Sequence, residues 1–159
     1  MISIKDNFLN QENLNNIYNT ITKNNFPWCI TDITEYSDEK MLCHDLYNNF
    51  QPISHYAYLV DEIVKQLNPL SLVRVKFNLH MKSNKITEYP FHTDNESDKC
   101  TSSILYLNDN DGYTIVKDKK IQSESNRLIT FPSNVKHTGT NCTNKEFRVL
   151  LNLVYISNQ

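Results

Sequence analysis

Between Val73 and Met81 the hydropathy of the chain changes with every residue. Val73, Val75, Phe77, Leu79 and Met81 alternate with Arg74, Lys76, Asn78 and His80. A period of two fits an extended strand, whose successive side chains point to opposite faces. The first set therefore faces a core, and the second faces water or a polar cavity. This run commits the second half of the chain to β structure. Further strands are expected at 86–94, 101–108, 113–117, 127–131, 134–138 and 147–156. Turn clusters such as Asn108-Asp109-Asn110-Asp111-Gly112 and Asn141-Cys142-Thr143-Asn144 separate them.

The first 70 residues read differently. Leu14, Ile17, Tyr18 and Ile21 have helical spacing within 10–23, behind Asn10 as N-cap. Phe26-Pro27-Trp28 ends that helix and begins an extended segment through Ile30. Ser54 caps a second helix at 55–67, whose stripe is Tyr58, Leu59, Ile63 and Leu67, and Asn68-Pro69 stops it. The polar stretch 31–52, with a short strand at 41–47, is a lid, a substrate loop or a plain surface connection. Two helices followed by about eight short strands define an α+β domain, mainly β, built on a sandwich or barrel.

Composition narrows the function classes. A chain of 159 residues supports one domain. Its net charge of −2, with no basic block, argues against a protein that holds nucleic acid through phosphates. No apolar run approaches the ~20 residues needed to span a bilayer, so no membrane partner is expected. Met1 to Asp6 lacks a signal-peptide core, and the expected location is cytoplasmic. Cys29, Cys43, Cys100 and Cys142 form no CxxC pair; reduced thiols are expected, and a zinc-finger reading has no support. Gly112 and Gly139 are the only glycines, which removes any Gly-rich phosphate cradle. The abundant asparagines take left-handed turn positions in their place.

The chemistry concentrates in Phe91-His92-Thr93-Asp94-Asn95. On a strand, His92 and Asp94 share a face and can grip one metal ion. His137 supplies a second imidazole. Two His and one carboxylate, with open positions opposite, are the ligand set of non-haem Fe(II) oxygenases. Arg148 sits on a strongly apolar strand that has no packing use for a charge. A hairpin centred between Cys142 and Thr143 would set His137 directly opposite Arg148, presenting a fork for a carboxylate beside the metal. Strand parity turns Asn152 to the same face. The bland alternative for Arg148 is a salt bridge to Glu146 or Asp118.

These residues resemble the Fe(II)/2-oxoglutarate-dependent dioxygenases, and most of all their prolyl-hydroxylase-like branch; the N-terminal helices and Phe26-Pro27-Trp28 are similar to small stand-alone phage-type members. The likeness runs from residue 71 to 156. It rests on His92-Thr93-Asp94, His137 and Arg148 together with three stretches: Ser102-Ser103-Ile104-Leu105-Tyr106-Leu107-Asn108, Asn126-Arg127-Leu128-Ile129-Thr130-Phe131-Pro132 and Arg148-Val149-Leu150-Leu151-Asn152-Leu153. The resemblance implies a double-stranded β-helix, or jelly roll, over 71–156, with N-terminal helices (1–70) packed against its major sheet. It implies Fe(II) on His92, Asp94 and His137, 2-oxoglutarate and O2 as co-substrates, and Arg148 with Tyr106 on the far carboxylate of 2-oxoglutarate. Asn152 falls near the oxygen side of the metal. The chain departs from the branch twice. Asp111-Gly112-Tyr113 replaces paired glycines, and Asn78 or His80 stands where relatives often add a tyrosine to the co-substrate site.

The expected activity is hydroxylation of a C–H bond, in a peptidyl proline or an amino acid, with release of succinate and CO2. The competing expectations are a metal-binding, cupin-like jelly roll without turnover, and an iron enzyme that uses no 2-oxoglutarate. The loops 31–52 and 82–91 are expected to border the entrance.

Overall fold

The computed structural model describes residues 1–34 and 38–158. The first half of the chain holds β1 (Ser3–Lys5), α1 (Gln11–Ile21), β2 (Cys29–Asp32), β3 (Lys40–Asn48), β4 (Gln51–Pro52) and α2 (Asp61–Leu67), with a 3-10 turn at His55–Val60 before α2. The second half holds β5 (Ser71–Met81), β6 (Cys100–Tyr106), β7 (Tyr113–Val116), β8 (Lys119–Gln122), β9 (Leu128–Pro132), β10 (His137–Gly139) and β11 (Phe147–Ile156). Antiparallel pairing assembles them into two sheets. The major sheet has eight strands in the order β1-β9-β6-β11-β5-β3-β2, with β4 paired to β3; the minor sheet is β10-β7-β8.

β5 and β11 are the spine of the major sheet, and both alternate. Val75, Phe77 and Leu79 of β5 and Val149, Leu151, Leu153 and Tyr155 of β11 point to one face. There they share a buried cluster with Leu14, Ile17 and Ile21 of α1 and Ile63 of α2. The opposite face, turned to the minor sheet, carries Ile104, Tyr106 and Leu150, which pack with Val116, Ile121, Ile129 and Phe131. Arg74, Lys76, Asn78 and His80 emerge on that second face and line a cavity, the polar alternative for this set. The start and end of β5 depart from strict alternation. A register shift opposite Val154/Tyr155 pairs Leu72 with Tyr155, so Leu72 rather than Val73 packs on the core. Met81, at the strand's end, is exposed.

Asn10 caps α1 as expected, its side chain accepting from the Asn13 N–H at 2.8 Å. The helix expected at 55–67 is a 3-10 turn, capped by Ser54, followed by the α-helix. Tightening of this kind is common at helix starts. Asn68 closes α2 in the left-handed conformation, at φ 46°. Among the described residues, positive φ falls on Asn7, Asn49, Phe50, Asn68, Lys117 and Asn126, and on neither glycine. Asparagine thus takes the turn positions that glycine fills elsewhere.

Two sequence expectations need correction, and two strands went unexpected. Residues 86–94 form no strand; isolated bridges at Glu88 and His92 hold them to Thr140 and His137. The short strands β1 and β8, both added at the edges of sheets, have no alternating signature to announce them. The hairpin that would pair His137 with Arg148 does not exist. His137 pairs with Val116 in the minor sheet, whereas Arg148 pairs with His80 in the major sheet. Between β10 and β11 the chain changes sheets, because the apolar β11 is buried on both faces between β5 and β6. No helix among the described residues is long and apolar enough to cross a membrane.

Candidate active site

The cavity between the sheets measures about 310 Å³. β5 contributes Arg74, Lys76, Asn78 and His80; β11 contributes Arg148, Leu150 and Asn152. The minor sheet adds Thr114, His137 and Gly139, and the 82–91 loop adds Tyr89. Ile33, Thr34 and Met41 place the 31–52 stretch in the wall as well. Residues 35–37 of that stretch lie outside the described residues.

His92, Asp94 and His137 meet at one end. One donor atom from each lies within 4.8 Å of the others. Their backbones are locked together first: the His92 N–H donates to the His137 carbonyl at 3.0 Å, and the His137 N–H returns the bond at 2.9 Å. The Asp94 N–H is held by the Ser133 carbonyl at 3.1 Å. Each imidazole is then oriented by a carbonyl. His137 Nδ1 lies 3.0 Å from the Val135 carbonyl and His92 Nδ1 3.4 Å from that of Pro90. A carbonyl can only accept, so Nδ1 carries the proton and Nε2 keeps its lone pair for a ligand. Burial, reinforced by the neighbouring His137, lowers the His92 pKa and favours this neutral form.

Asp94 is held from three sides. Arg74 Nη2 donates to Oδ1 at 2.7 Å, while Ser102 Oγ and Asn152 Nδ2 donate to Oδ2 at 2.7 and 3.2 Å. Burial pushes its pKa upward, but His137, Arg74 and Ser102 outweigh that and hold it down to about 2. Two imidazoles whose Nδ1 atoms face carbonyls, beside an ionised carboxylate, suit a divalent metal.

At the other end Arg148 is 1% exposed, and no carboxylate pairs with it among the described residues. Neither Glu146 nor Asp118 reaches it. Its donors go to neutral acceptors: Nε to Ser123 Oγ at 2.8 Å, Nη1 to the Thr140 carbonyl at 3.1 Å and Nη2 to Thr114 Oγ1 at 3.0 Å. Tyr106 is fully buried with its ring 5.4 Å from the guanidinium, and its hydroxyl closes no hydrogen bond. Burial pushes that phenol's pKa up, while Arg148 pulls the other way. Four more buried atoms of lining residues lack partners: Thr34 Oγ1, Arg74 Nε, Asn78 Oδ1 and His80 Nδ1. Buried polar atoms without partners are costly, and several around one cavity mark a place for a polar ligand. His80 stacks on Tyr89 with ring centroids 5.1 Å apart, and burial, then Arg148 and Lys76, drive its pKa down to about 3.

The structure therefore brings His92, Asp94, His137, Arg148, Asn152, Asn78 and His80 around one space, with Tyr106 buried behind the wall against Arg148. Sequence reading had not singled out Arg74, Lys76, Ser102, Thr114 or Tyr89. Arg74 and Lys76 share strand parity with Asn78 and His80, a signal that could have found them. Ser102, Thr114 and Tyr89 carry no such mark.

The fold and this constellation define a class. No protein-family model and no curated protein matches the sequence. Solved structures do. A prolyl-4-hydroxylase from Pseudomonas putida is 14% identical with a TM-score of 0.67, over 99% of this chain and 92% of its own. HygX from Streptomyces hygroscopicus, solved with nickel and 2-oxoglutarate bound, is 11% identical with a TM-score of 0.66, over 99% and 83%. A prolyl hydroxylase from Trichoplax adhaerens, in complex with a hypoxia-inducible-factor peptide fragment, is 15% identical with a TM-score of 0.59, over 98% and 83%. The chain has the jelly-roll fold of the 2-oxoglutarate/Fe(II) oxygenases.

Proposed function

We propose that the protein is an Fe(II)- and 2-oxoglutarate-dependent oxygenase that hydroxylates a C–H bond. The observation that carries this reading is Arg148. A guanidinium buried without an anionic partner is expensive. It shares its cavity with a converging His-Asp-His set. 2-Oxoglutarate answers both features: its keto-acid end chelates a metal and its far carboxylate meets the cation. Tyr106 offers that carboxylate a second donor from its unpartnered hydroxyl. HygX, of the same fold, binds nickel and 2-oxoglutarate.

In this reading His92, Asp94 and His137 hold the metal through Nε2 of each imidazole and a carboxylate oxygen. Arg148 and Tyr106 orient the co-substrate along the cavity. Asn78 and His80 face it from β5, and Asn152 steadies Asp94 from β11. Bound iron would supply the oxidation, in which O2 and 2-oxoglutarate give hydroxylated product, succinate and CO2. The substrate is a peptidyl proline, as the neighbouring prolyl hydroxylases suggest, or a free amino acid.

Succinate formation from 2-oxoglutarate under air tests the proposal. It should require added Fe(II) and fall to background in Asp94→Ala and His137→Ala. Wild-type-like succinate yield in either variant would reject the ligand assignment.

A further inference from the structure

The charges in the cavity do not balance, and the excess identifies the substrate's chemistry. Arg74, Lys76 and Arg148 face a single carboxylate, Asp94. A divalent metal and doubly charged 2-oxoglutarate cancel each other and leave that excess standing. Two of the cations have assignments: Arg74 is bonded to Asp94, and Arg148 is matched by the far end of the co-substrate. Lys76 has none. It sits in the middle of β5, directly across from Asp45 on β3 and Asn152 on β11. It closes no ion pair with Asp45, which is exposed and outside the cavity wall. Lys76 is half-buried; burial and Arg74, two residues away on the same face, disfavour its charge, while Asp45 and Asp94 attract it without closing an ion pair. A half-buried ammonium beside another cation is retained at a cost that an incoming anion removes.

Resting on the oxygenase reading above, we infer that Lys76 anchors an acidic group of the substrate, so that the molecule oxidised is a small molecule bearing a free carboxylate or phosphate. Size points the same way. At about 310 Å³ the cavity lies at the small end for ligand sites, roughly 300–1,000 Å³, and it must also hold 2-oxoglutarate. A compact free acid fits what remains. A peptidyl proline presents only neutral amides to Lys76 and leaves its charge unanswered.

The test uses the protein loaded with Ni(II) and 2-oxoglutarate. The probes are free L-amino acids, their carboxamides, and small phosphate monoesters such as phosphoserine, followed by ligand-observed NMR and titration. At least one acid or phosphate should bind, with the counterpart lacking that acidic group weaker by about ten-fold or more. Lys76→Met should lose that preference and Lys76→Arg should restore most of it. Binding by the phosphate monoesters but not the amino acids would identify phosphate as the anion. Equal binding of acid and carboxamide, unchanged acid binding in Lys76→Met, or binding by uncharged proline peptides alone would overturn the inference. So would a result in which Lys76→Met and Asp45→Asn merely lower Tm alike, since that describes a structural pair. If the wild-type protein fails to bind 2-oxoglutarate at all, the oxygenase reading falls first and takes this one with it.

Discussion

Arg148 and His80 stand directly opposite each other across β11 and β5, both buried in the cavity wall. The pairing keeps His80 neutral, with a pKa near 3 set by burial, then Arg148 and Lys76. In the unfolded chain the same imidazole titrates near 6.5, so the unfolded state binds an extra proton between those values. Its contribution is complete above pH 6.5 and is lost as pH falls toward 3. The slope from this one group is at most about 1.4 kcal/mol per pH unit. Urea unfolding at a series of pH values should show a shallower acid loss in His80→Asn. Identical slopes would mean that His80 is not held neutral.

Gly112 governs the position of Arg148 from the other side. A Cβ there would lie 2.4 Å from the Asn141 carbonyl oxygen, 2.6 Å from Arg148 Cδ and 2.8 Å from Asn110 Oδ1. The single glycine at this turn thus allows the close approach. Gly112→Ala should destabilise the fold by about 1–3 kcal/mol through overpacking and should also weaken 2-oxoglutarate binding. Tm and co-substrate titration check this together; a stable variant with normal affinity would contradict it.

Much of this was legible from the chain. The alternation of β5 announced both a core and a polar cavity face, and the donor set His92, Asp94, His137 and Arg148 could be selected by residue type. The route by which those residues meet could not. Residue spacing placed His137 opposite Arg148 in a hairpin, but β10 and β11 belong to different sheets, and Arg148 reaches the cavity across the sandwich through its long side chain. Which strand pairs with which depends on burial of whole strands and has no local signature. The same limit hid Ser102, whose hydroxyl matters only because folding brings Asp94 to it from a loop.

Ser102 gives a further expectation. Its bond to Asp94 Oδ2 fixes the carboxylate proposed to bind the metal, and Ser133 Oγ lies 2.9 Å behind it. Ser102→Ala should weaken metal affinity by about ten-fold or more without unfolding the protein. Competition with a metal chelator measures this, and unchanged affinity would show that Arg74 and Asn152 hold Asp94 unaided.

Replacing the buried cation should separate co-substrate binding from metal binding. Arg148→Met removes a charge-assisted contact worth about 1.5–3 kcal/mol, raising the 2-oxoglutarate requirement roughly 10- to 150-fold. Metal affinity should stay near that of the wild type, because Arg148 makes no bond to His92, Asp94 or His137. Succinate formation against 2-oxoglutarate concentration is the readout. An unaltered requirement would move the far carboxylate to another residue.

The most direct measurement is optical. Under strictly anaerobic conditions, Fe(II) and then 2-oxoglutarate are added to the wild-type protein and to His137→Ala. Chelation of iron by the keto acid should give a weak visible charge-transfer band in the wild type and none in the variant. Absence of the band in wild-type protein, or its survival without His137, would contradict the assignment of this cavity.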